Sequence, residues 1–96
     1  MFIITLTYLK SAEEIDAQLA AHREFLREQY ANGVFLMSGR MVPRTGGVIV
    51  AVADSRADIE AVIELDPFNE TGLASYQITE FVPTMTADFL STYRQH

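Results

Sequence analysis

Cysteine and tryptophan are both absent from this 96-residue chain. Without cysteine there is no disulfide scaffold, no thiolate nucleophile and no thiolate-held metal. Cations are scarce too, with seven Lys and Arg against thirteen Asp and Glu and a net charge of −6. Nucleic-acid backbones and anionic lipid surfaces are bound by clustered Lys and Arg, and the few here are scattered, so neither nucleic acid nor membrane is an expected partner. No apolar run approaches the ~20 residues of a membrane-spanning helix. The opening Met-Phe-Ile-Ile-Thr-Leu-Thr-Tyr-Leu lacks the basic start and small-residue cleavage site of a signal peptide, and a cytoplasmic location is expected. The two histidines, His22 and His96, are separated by most of the chain, which gives no support to a metal centre, and His96 is expected to be a mobile end. Gly46-Gly47 is followed by neither a lysine nor a helix start, so it reads as a hairpin turn and not as a phosphate loop. Neither metal nor cofactor is expected.

What is present suits a small globular domain: 49% hydrophobic and 21% charged residues. Residues 2–9 carry aromatic and β-branched side chains and read as a first strand. Ser11 with Glu14 three residues on is a capping box, opening a helix that runs to about Asn32, with Gly33 beyond its end. Its apolar stripe is Ile15, Leu19, Leu26 and Tyr30, with Phe25 on the flank. Arg23, Arg27 and Glu28 fall on a solvated face, and Glu13, Glu14 and Asp16 complement the helix dipole. Residues 34–41 and 47–53 read as two strands joined by the loop Val42-Pro43-Arg44-Thr45-Gly46. Asp54 or Ser55 then caps a second helix containing Ile59, Val62 and Ile63, which Asp66-Pro67-Phe68 ends. Residues 74–82 form the fourth strand, and residues 86–93 a short terminal helix.

The order β-α-β-β-α-β predicts an α+β, ferredoxin-like fold, an antiparallel four-stranded sheet with two helices on one face. Residues 1–84 make up the domain and residues 85–96 a tail. Ile3 and Leu9 alternate with Phe2, Ile4 and Leu6, and Ile49 and Ala51 with Val48, Val50 and Val52, so the face away from the helices is apolar as well. Such a face needs a cover, and a second copy packed sheet to sheet supplies it. Met37, Met41 and Met85 then serve as core or interface fillers.

Acid–base chemistry centres on His22, which falls between Leu19 and Leu26 on the inward stripe of the first helix. Such a histidine is either a core residue donating one hydrogen bond to a carbonyl or a proton-transfer group. The second role needs a carboxylate to hold one ring nitrogen, and Asp66 in the loop after the second helix can reach it. The simpler role of Asp66 is to start a turn through its own side chain. Ser38 and Arg40 share one face of the second strand with Gly39 between them. Ser38 can hydrogen-bond a substrate, Arg40 can hold an anion, and the glycine lets a group come close.

The ordered set His22-Arg-Glu-Phe-Leu, Gly33-Val-Phe-Leu-Met-Ser38-Gly39, Gly46-Gly47-Val-Ile-Val, Asp66-Pro67-Phe68, Gly72-Leu73 and Glu80-Phe81-Val-Pro83 resembles the YciI-like (YCII-related) family. The resemblance covers roughly residues 1–84. It implies a ferredoxin-like domain dimerising into an α+β barrel, with His22 and Asp66 as the catalytic pair and Ser38 and Gly39 lining the pocket. Some such relatives are dehydrochlorinases of chlorinated, hydroxylated aromatics, and the wider superfamily includes lactone isomerases and monooxygenases. This chain departs from the pattern in having Leu19 where many members carry arginine and Arg40 where many carry proline. The expected function is a cofactor-independent homodimeric enzyme performing elimination, isomerisation or hydrolysis on a small polar or aromatic molecule. A non-catalytic ligand-binding or dimerisation module is the alternative.

Overall fold

The computed structural model describes residues 1–95, and His96 lies outside the described residues. Four strands, β1 (Phe2–Tyr8), β2 (Phe35–Arg40), β3 (Gly46–Ala51) and β4 (Ala74–Glu80), alternate with helices in the order foreseen. The helices are α1 (Ala12–Ala17), α2 (Leu19–Ala31), α3 (Arg56–Ile63) and α4 (Pro67–Glu70), and a 3-10 helix spans Asp88–Tyr93. The sheet runs β2-β3-β1-β4, antiparallel throughout. This is the ferredoxin-like arrangement. The strand cores match the sequence reading, with no end more than two residues from that expected.

β1 is the keystone because it pairs with both β3 and β4. Its helix-side residues Phe2, Ile4 and Leu6 are buried, and they meet Ile15, Phe25, Ile59 and Phe68 from the helices in one core. Burying a side chain of this size contributes roughly 1.5–3 kcal/mol, so these residues carry much of the fold's stability. The edge of β3 approaches β1 so closely that a Cβ on Gly46 would stand 1.8 Å from the Leu6 carbonyl oxygen. Gly46 is therefore the first residue of β3 and not part of a turn, and its missing side chain is a packing requirement.

The first helix is not continuous. At Gln18 the backbone N–H bonds back to the Ile15 carbonyl, three residues away, and the ladder restarts with His22 N–H on Gln18. That tightened turn separates α1 from α2 and rotates the face that α2 presents. Its buried residues are His22, Phe25 and Gln29, while Leu19 and Leu26 are half-buried and Tyr30 is exposed. Phe25 thus moves from the flank of the stripe to its centre.

Three side-chain caps set the remaining helix starts. Ser11 and Glu14 form the capping box, and Ser55, of the two candidates, caps α3. Asp66 caps α4, a short helix where a turn is expected, with Pro67 at the first position that has no need of an N–H. Gly33 and Gly72 adopt positive φ of 75° and 69°, where a side chain is strained.

The face away from the helices is divided. Ile3, Val48, Val50 and Met37 form an apolar patch on it, bordered by Thr5 and Thr7 of β1, whereas Ser75, Gln77 and Thr79 make its β4 part polar. Met37 is 57% exposed and Met85 89% exposed, so neither fills the core of this chain.

Candidate active site

A carboxylate buried completely away from water lies at the junction of α2, α4 and β4. Asp66 has 0% exposure and three hydrogen bonds. Its Oδ1 accepts from the Phe68 backbone N–H at 3.0 Å and stands 2.8 Å from His22 Nδ1. Its Oδ2 accepts from the Tyr76 hydroxyl at 2.6 Å. An ionised carboxylate is acceptor-only, so the network assigns the proton of the neutral imidazole to Nδ1 and leaves the Nε2 lone pair free. Capping α4 and holding His22 are thus one task for Asp66, performed by the same oxygen.

The ring is also fixed in plane. His22 stacks on Phe68 with centroids 4.0 Å apart and planes 3° from parallel. Asp66-Pro67-Phe68 therefore grips the imidazole twice, by its carboxylate and by its aromatic face. Nε2 has no partner among the described residues. The buried polar side-chain atom without a partner is Thr86 Oγ1, so Nε2 keeps contact with solvent. His22 is one of the residues lining a cleft of about 470 Å³, of the size that holds a small molecule.

One wall of the cleft is α2, through Leu19, His22, Arg23 and Leu26. The other is the β2–β3 side, where Ser38, Gly39 and Arg40 all reach the lining. Four of the five residues named from sequence thus share one cavity, and the fifth, Asp66, lies behind His22. Ser38 meets Tyr30 hydroxyl to hydroxyl. A Cβ on Gly39 would meet nothing within 4 Å, so the space beside that glycine is open. Arg44 Nη2 pairs with Asp16 Oδ1 at 2.6 Å, and the guanidinium carbon Cζ stands 5.8 Å from the Tyr8 ring centroid. The Asp16 hydrogen bond and charge raise the Arg44 pKa further above its ordinary value.

Two participants lay outside the sequence reading. Arg23, assigned to a solvated face, lines the cleft because β2 forms a wall opposite it. Tyr76 is the larger omission. Its inward position follows from alternation with Ala74 and Ile78, but nothing local tells where its hydroxyl goes. Burial first, and then the hydrogen bond to Asp66, pushes that hydroxyl well above the ordinary tyrosine range. That shift favours the protonated hydroxyl, the form that donates to Asp66. No group of three or more metal-ligating side chains occurs among the described residues.

The model of the YCII-related domain matches residues 1–82. The chain belongs to that family. A comparison with curated proteins finds no match. Among solved structures, the domain is similar to 5-chloro-2-hydroxyhydroquinone dehydrochlorinase from Burkholderia phenoliruptrix AC1100, seen in complex with 2,5-dihydroxybenzoquinone. The TM-score is 0.69 at 18% identity, covering 84% of this chain and 93% of that one. At that identity the likeness is one of fold.

Tyr76→Phe tests the buried network. It removes one donor from a buried carboxylate and is expected to lower stability by about 1–2 kcal/mol near neutral pH. The raised folded-state pKa of Tyr76 adds a sign. Its stabilising contribution is intact below the unfolded tyrosine value of about 10 and is lost above it, as only the unfolded chain ionises. Urea midpoints measured from pH 8 to 11 should fall less steeply for the variant than for the parent. Parallel curves would contradict this assignment.

Proposed function

We propose that this domain is a small cofactor-independent enzyme in which His22, held by Asp66, moves protons during elimination, isomerisation or hydrolysis of a small polar or aromatic molecule. The observation that carries this reading is the division of the imidazole: Nδ1 tied to a buried carboxylate, Nε2 open to a cleft. A base of this kind takes a proton from a substrate O–H or C–H. The electron pair released then expels a leaving group on a neighbouring carbon or relocates a double bond. Asp66 stabilises the imidazolium so formed, and the ring gives its proton to the leaving group or to water. In the elimination form the net change is loss of one H–X from the substrate. The dehydrochlorinase activity of the similarly folded enzyme supports choosing halogenated hydroquinones as first substrates.

The same hydrogen bond also ties α2 to α4, and a domain that merely binds a ligand would need no more than this. Chloride release from chlorinated hydroquinones, followed with the His22→Gln and Asp66→Asn variants, separates the two. General acid–base help is typically worth ~10²–10⁴-fold, and each variant should lose that much kcat while its folded spectrum persists. Full turnover per folded molecule in either variant would leave the pair a purely structural role.

The working unit in this proposal is a cytoplasmic homodimer, with the second copy over the apolar part of the open face. Val50 sits within that part, opposite Ile3 and Met37 in the sheet register. Sedimentation should give twice the 10.8 kDa chain mass for the parent and a folded monomer for Val50→Glu. A parent that sediments as a monomer would remove the second copy from the proposal.

A further inference from the structure

The seven cations of this acidic chain are not evenly distributed: Arg23, Arg40 and Arg44 all line the cleft of His22. Their partners differ. Arg44 is committed to Asp16, as Arg27 is to Glu24 and Arg56 to Glu60. Arg23 and Arg40 make no ion pair and no side-chain hydrogen bond among the described residues, although the chain has thirteen carboxylates. They also come from different elements. Arg23 follows His22 on α2, while Arg40 ends β2 on the helix-facing side, opposite Gly47.

Between these two walls the surface is apolar, made by Leu6, Leu19, Leu26 and Ile49. The negative groups nearby are already occupied: Asp16 by Arg44, and Asp66 by its three donors behind the imidazole. An apolar floor with two unpaired guanidiniums at its margins, next to a free imidazole nitrogen, specifies a ligand with an apolar body and an anionic end. We infer that the cleft selects small organic carboxylates, with Arg23 and Arg40 receiving the carboxylate and the body lying over the leucines near His22 Nε2. Guanidinium and carboxylate match as paired donors and acceptors, which a neutral amide cannot reproduce. Resting on the His22 reading, the inference narrows the substrates of that site, placing halogenated hydroxybenzoates, which carry a carboxylate, ahead of the hydroquinones. It also assigns a role to Arg40 in a position where an imino acid would carry no charge.

Salicylate and its neutral counterpart salicylamide are the probes, titrated into the ¹⁵N-labelled 96-residue chain. Salicylate should shift cleft amides saturably and bind at least about tenfold more tightly than salicylamide, an advantage that weakens with added salt. Arg23→Gln and Arg40→Gln, both exposed positions, should each reduce that preference, and the double variant should abolish it. His22→Gln should keep the preference, because the carboxylate is held by the arginines. Equal binding of acid and amide, absence of binding by salicylate, or a preference that survives in the double variant would overturn the inference. Turnover by His22→Gln with the preference intact would instead remove the proton-transfer reading and leave the ligand class standing.

Discussion

Removing a carboxylate from water costs several kcal/mol unless donors replace the lost hydration, and Asp66 is wholly removed. The three donors that meet it come from three parts of the chain: the imidazole of α2, the first turn of α4 and the hydroxyl of β4. Each must be in place for the others to be tolerated, since a stranded buried acceptor or donor costs about 1–3 kcal/mol. Asp66 thereby fixes where α2 lies against the sheet, how the chain turns after α3, and which way the His22 ring faces. The rest of the site depends on that constraint.

The fold makes such a constraint possible by asymmetry. β1 and its core partners hold the sheet together from the middle, so the helices can pack tightly where Phe68 and Ile59 are buried. Along the first half of α2, from Leu19 to Leu26, a cleft lies between helix and sheet, with Ser38, Gly39 and Arg40 of β2 on its other side. His22 stands on the boundary, buried on the Phe68 side and wet on the other. A histidine deeper in the core would have no access to substrate, and one on the surface would have no fixed ring.

The pair itself was legible in sequence because two local signals converged: helical spacing turned His22 inward, and Asp-Pro-Phe marked a turn with a capping carboxylate. Both readings of Asp66, as cap and as partner of His22, proved compatible, which spacing alone gave no reason to expect. Other features were hidden. The slip of one hydrogen bond at Gln18 has no side-chain signature, yet it moved Phe25 and Gln29 inward and Tyr30 out. Tyr76 reads as one more core residue of an alternating strand. Arg23 reads as solvated on a helical projection, and only the opposing strand makes its surroundings a cleft. Local patterns report which way a side chain points, whereas what it meets there is a tertiary fact.

The role proposed for His22 depends on a single tautomer. Long-range ¹H–¹⁵N correlation of the His22 ring distinguishes its two nitrogens directly. In the neutral imidazole the proton should reside on Nδ1, with Nε2 giving the signal of a bare lone-pair nitrogen. A neutral ring carrying its proton on Nε2 would mean that Nδ1 is not donating to Asp66, and the division of labour proposed for this histidine would fail.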